Sequence, residues 1–146
     1  MNKEFLERLK NGSKTNCECC GRYAQAYNRR LHTSVCLQLI MLYKLGGAGA
    51  YVHASKLIPV GVTGAGDFTK AKYWGLIQEI PNNREVKSSG HWMLTERGVE
   101  FVNNKLTIPE VAVVYDDTVL EYKGRQVNII DGLKRKFDYN ELMRGL

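Results

Sequence analysis

The residues best suited to chemistry come early, in Cys17-Glu-Cys-Cys20-Gly21. Cys17-x-x-Cys20-Gly21 has the form of a zinc knuckle, two thiolates on a tight turn whose glycine turns backbone N–H groups toward the sulfurs. A tetrahedral ion needs two further ligands. His32 and Cys36 follow at the spacing C-x2-C-x11-H-x3-C, and their i, i+4 separation puts them on one face of a helix start. The expected site is therefore zinc held by Cys17, Cys20, His32 and Cys36, with Cys19 as a poorer substitute for either knuckle cysteine. Four protein ligands leave no place for a reacting water, so such a zinc is structural. The competing reading makes Cys36 a buried core residue and His32 an exposed residue where the helix begins.

A second set of residues suits a polyanion. The 146-residue chain carries a net charge of +6, which favours nucleic acid or an acidic surface but also serves solubility. Arg22, Arg29, Arg30, Lys44 and Lys56 form one basic group, with Tyr23 and Tyr27 interleaved, and Arg29 and Arg30 are its candidate phosphate contacts. Thr69, Lys70, Lys72 and Tyr73 form another on a single helical segment, where lysine can reach guanine O6 and N7 in a major groove. Pro81 to Gly90 is a polar loop holding Arg84 and Lys87, suited to phosphate or minor-groove contact. The first group is equally readable as solvated surface, while the helix and loop set favours nucleic-acid contact over the protein-interaction role that such elements also serve.

Catalytic signals are weak. Gly61-Val-Thr-Gly-Ala-Gly66 lacks the Lys-Ser/Thr of a phosphate-binding P-loop and has no βαβ context. Asp116-Asp117 stands where turn chemistry already calls for acidic residues. The three histidines are scattered along the chain. The expectation is a protein that is not an enzyme.

Certain elements must position these residues. Phe5, Leu6 and Leu9 make a short amphipathic helix over residues 2–10. Val35, Leu39, Leu42 and Tyr43 mark a stronger helix from Ser34 to Leu45, with Thr33 or Ser34 as N-cap and Gly46-Gly47 as its stop. A short extended piece, Tyr51–Ser55, precedes a brief helix at Lys56–Ile58. Asp67 is expected to cap a helix through Trp74, and Gly75 to close it. Leu76–Ile80 and Gly90–Thr95 read as two strands around the polar loop, with a helix from Thr95 to Val102. Trp74 and Trp92 are expected to seal the core rather than stack on a ligand. This order is that of an α+β winged-helix core, a helix-turn-helix plus a β-hairpin wing, though winged helices also serve as protein-interaction modules.

Past Pro109 the pattern becomes a hairpin, Glu110–Tyr115 and Thr118–Tyr122 around Asp116-Asp117. Lys123–Arg125 reads as a further turn, Val127–Ile130 as a third strand and Asp131–Phe137 as a helix. Asp138 opens a last helix with Glu141 in capping-box position. The expected division is 1–32, an N-terminal helix and cysteine knuckle; 33–108, the winged-helix core; and 109–146, an extension packed on that core. The charged N-terminus has no signal-peptide core, and the longest apolar run is too short to span a bilayer. Both point to a soluble cytoplasmic protein without a membrane partner.

Several motifs together resemble a family of small bacteriophage and prophage proteins. They are Cys17 to Gly21, Asn28-Arg-Arg-Leu31, Trp74-Gly-Leu-Ile77, Gly90 to Gly98, and Phe137-Asp-Tyr-Asn-Glu-Leu-Met-Arg-Gly145. The resemblance implies a phage origin and a winged-helix-like core. It leaves two functions in view. One is a regulator reading duplex DNA, a possible homodimer through its C-terminal segment. The other is an inhibitor of a host defence system, such as an anti-CRISPR, binding a host protein or nucleoprotein complex in the bacterial cytoplasm.

Overall fold

A computed structural model describes residues 3–11, 15–16, 21–57, 65–80, 90–134 and 137–144. The chain is mixed α+β and divides into two units. In chain order the elements are α1 (Lys3–Lys10), β1 (Thr15–Asn16), β2 (Tyr23–Ala24), β3 (Tyr27–Arg30), α2 (Thr33–Lys44) and β4 (Val52–His53). Two 3-10 segments follow, Ala54–Leu57 and Ala65–Trp74, then β5 (Ile77–Glu79), β6 (His91–Leu94) and α3 (Glu96–Val102). The chain continues through β7 (Ile108–Tyr115), β8 (Thr118–Val127), α4 (Ile129–Leu133) and α5 (Tyr139–Met143). Among the described residues, no helix is long and apolar enough to cross a membrane.

The first unit comprises residues 1–30 and 109–125. Its sheet has the order β3-β7-β8, with β3 antiparallel to β7 so that Arg29 faces Ala112 and Arg30 faces Val111. Phe5 and Leu9, one helical turn apart on α1, pack with Ala24, Ala26 and Val113. The Phe5 ring meets Tyr115 edge to face at 6.0 Å. Burying side chains of this size stabilises by about 2 kcal/mol each, so two residues suffice to fix so short a helix. Asp116 and Asp117 both adopt left-handed backbone, φ 49° and 62°. That is the type I′ pattern whose twist matches paired strands and which Asp tolerates.

Strand β3 departs from the sequence pattern. Tyr-Asn-Arg-Arg has no apolar alternation, and it becomes a strand because the apolar Val111–Val114 segment of β7 offers it a hydrogen-bonding edge. Strand β8 also runs further than the pattern predicts. Lys123–Arg125 is no turn: Gly124, at φ +86°, carries the strand on to Val127. A Cβ there would strike the Glu110 side chain, whose carboxylate accepts from the Arg125 backbone N–H at 3.4 Å.

Residues 31–108 and 126–146 form the second unit, built around α2. Six successive positions of α2, Val35 to Ile40, are buried, so the helix is enclosed rather than half-exposed. It packs against α3, α4, α5, β6 and both 3-10 segments. Its expected cap is corrected. His32 is the N-cap residue, and its side chain makes no capping hydrogen bond. Thr33 lies inside the helix, and its hydroxyl donates to the Gly132 carbonyl at 3.1 Å.

The C-terminal stretch differs from its pattern as well. Ile129 begins a helix, not a strand, because Asn128 and Asp131 form a reciprocal capping box there. That helix ends at Lys134 in left-handed backbone, short of the expected Phe137. Asp138 caps α5 as expected, its carboxylate accepting from the backbone N–H of Asn140 and Glu141. The Tyr139 hydroxyl then donates to the Val102 carbonyl at 2.6 Å. Residues 109–125 belong to the first unit and 126–146 to the second.

Candidate nucleic-acid interface

The segment carrying Thr69, Lys70, Lys72 and Tyr73 is helical but wound as a 3-10 helix throughout, not as an α-helix. Three residues per turn makes i and i+3 eclipse. Phe68, Ala71 and Trp74 are 0%, 0% and 3% exposed, so every third residue forms one buried ridge. The ridge is seated by an edge-to-face contact of Phe68 with Trp92, ring centres 6.0 Å apart. The same period sorts the rest into two outward rows, Thr69 with Lys72 and Lys70 with Tyr73. Lys72 is exposed, the other three are half-buried, and the Lys72 ammonium lies 5.5 Å from the centre of the Tyr73 ring.

The end of this segment is held by backbone geometry. Gly75, at φ +72°, turns the chain out of the helix in a conformation that side chains disfavour. The Thr95 hydroxyl donates to the Gly75 carbonyl and accepts from the Gly98 N–H, thereby also capping α3. The Leu76 carbonyl accepts from the Thr95 N–H at 3.0 Å. A Cβ on Gly98 would collide with that same carbonyl, so only glycine lets α3 approach so closely.

Strand order in the adjoining sheet is β4-β6-β5, all antiparallel. Glu79 pairs with Trp92, Gln78 with Met93 and Ile77 with Leu94. Trp92 is 5% exposed, so both tryptophans are core residues, as expected. The polar loop leaves at Ile80, whose N–H donates to the His91 carbonyl at 3.0 Å. It returns at Gly90, whose N–H donates to the Glu79 carboxylate at 3.2 Å. Arg84 and Lys87 lie outside the described residues.

Arg29 and Arg30 belong to the first unit, on β3. Arg30 is exposed and Arg29 half-buried. The Arg29 guanidinium lies over the Tyr27 ring at 5.2 Å, and its Nε is buried without a hydrogen-bond partner among the described residues. Arg22 is exposed in the same unit, while Lys44 and Lys56 are exposed in the second.

For the expected metal site, Cys17 and Cys20 lie outside the described residues, as does Cys19. His32 is exposed. Cys36 is fully buried, its sulfur against Gly132, where a Cβ could not fit. Burial pushes its thiol up to about 12, a rise that nearby Lys134 partly offsets. A thiol in that state is neutral, so binding zinc there would require the ion to displace its proton. Among the described residues no group of three or more His, Cys, Asp or Glu side chains converges.

One pairing is hidden in the order of residues along the chain. The histidines look scattered, yet β4 and β6 bring His53 directly opposite His91. Only strand register reveals this, because 37 intervening positions separate the two in the chain. No family model, curated protein or solved structure matches the chain.

Proposed function

We propose that this is a non-enzymatic duplex-DNA-binding protein, a phage-encoded regulator of winged-helix form acting in the bacterial cytoplasm. The observation that carries the reading is the strand order β4-β6-β5, with α2 before the first strand and two 3-10 segments between the first and second. That order supports a winged-helix reading, in which the helix before the second strand enters the major groove and the β-hairpin loop is the wing. On this reading Ala65–Trp74 takes the recognition role, with Thr69, Lys70, Lys72 and Tyr73 on its outward rows. The loop between β5 and β6 takes that of the wing, with Arg84 and Lys87 as its phosphate contacts. Arg29 and Arg30 supply further backbone contacts.

Fluorescence anisotropy with labelled duplex DNA, single-stranded DNA and RNA at two salt concentrations tests the reading. It predicts preferential binding to the duplex, weakening steeply with salt because displaced counterions drive association. Preference for a single strand, or duplex binding indifferent to salt, contradicts it.

A further inference from the structure

We propose that His53 and His91 form a two-histidine site for a divalent transition-metal ion of the zinc class, separate from the cysteine knuckle. The two residues are directly opposed on β4 and β6, so their side chains leave the sheet on the same face. That face is the outer one, since the alternate residues Val52 and Trp92 are buried. His53 is exposed and His91 half-buried.

Ring geometry supports the assignment. The ring centres are 4.9 Å apart with planes inclined at 77°. Two imidazoles bound to one tetrahedral zinc through bonds of about 2.0–2.1 Å place their ring centres roughly 5 Å apart. The centre-to-centre spacing is therefore compatible with both rings binding one ion. Turning both rings to present a nitrogen to the same ion uses the terminal torsion of histidine, which is soft.

The backbone beside the pair is shaped to permit it. Gly90 has φ +73°, and a Cβ there would stand 3.0 Å from His53 Nε2. A side chain there would be strained by the positive φ and would press on the imidazole tip. The Glu79 carboxylate anchors the Gly90 N–H at 3.2 Å, fixing the turn immediately before His91. Imidazole nitrogen suits zinc, copper and nickel, and two histidines leave the remaining coordination positions to water.

The test is a zinc titration of the full chain, read by the side-chain nitrogen resonances of its histidines. His53 and His91 are expected to shift together with a single midpoint. In His53→Gln the midpoint for His91 should move to higher zinc by about tenfold or more, as expected when a chelating partner is removed. His91→Gln, read at His53, gives the reciprocal measurement if the first variant folds poorly. The third histidine, His32, reports the cysteine-based site in the same spectrum. Shifts at His32 alone, no shift at either sheet histidine at millimolar zinc, or an unchanged midpoint in the variants overturns the proposal.

Discussion

Alkylation of Cys36 is the perturbation whose size follows most directly from the structure. An ordinary thiol titrating at 9.0 is about one-tenth thiolate at pH 8, whereas one pushed up to about 12 is thiolate about one time in 10⁴. Protonation alone should therefore slow Cys36 by about 10³-fold relative to an unfolded peptide carrying it. Full burial adds the requirement that the chain open before reagent arrives. The assay is iodoacetamide labelling at pH 8, quantified peptide by peptide by mass spectrometry, with and without a chelator. Protection that persists under chelation follows from burial, and release by the chelator would assign Cys36 to the metal set. Labelling within tenfold of the unfolded rate in folded protein would refute the packing of Cys36 against Gly132. Because the folded thiol titrates above the unfolded one, its contribution to stability is complete below pH 9 and is lost as pH rises through about 12.

Three substitutions test the framework that positions the candidate interface. Gly98→Ala gains helix propensity worth about 1 kcal/mol but drives a methyl into the Leu76 carbonyl. Net destabilisation of about 1–3 kcal/mol is expected in urea melts, and an unchanged or raised midpoint would show that α3 is not so tightly held. Thr95→Ala removes both the cap of α3 and the bond to Gly75, a loss of about 1–2 kcal/mol in the same assay. Tyr139→Phe deletes the hydrogen bond to Val102 and should cost about 1 kcal/mol. Hydrogen exchange should also rise across Tyr139–Met143, and unaltered exchange there would deny the tether its role.

How much of the fold is legible in the sequence depends on whether an element is decided locally. The hairpin turn at Asp116-Asp117, the cap at Asp138 and the burial of both tryptophans follow from neighbouring residues, and all are readable. Strand β3 is not, because Tyr27–Arg30 owes its conformation to a partner more than 80 residues away. The helical character of residues 65–74 is visible, but its 3-10 winding is not. Phe68, Ala71 and Trp74 at three-residue intervals are the signal, hidden because an α-helix also tolerates an i, i+3 pair. Lys123-Gly-Arg125 looks like a turn, since glycine marks turns more often than irregular points within strands. For the candidate interface, Lys70 and Lys72 are legible by charge alone. The His53–His91 pair requires a register that no local pattern encodes.

The most direct test of the DNA-binding reading is the salt dependence of duplex binding by the native chain and by Lys70→Ala/Lys72→Ala. If both lysines bind phosphate, the slope of log affinity against log salt should flatten by about 0.9 for each phosphate no longer neutralised, or about 1.8 in all. A lysine that reads a base edge instead should lower affinity on its preferred sequence with a smaller change in slope. Affinity and slope both unchanged by the double substitution, or no duplex binding by the native chain at low salt, would contradict the account.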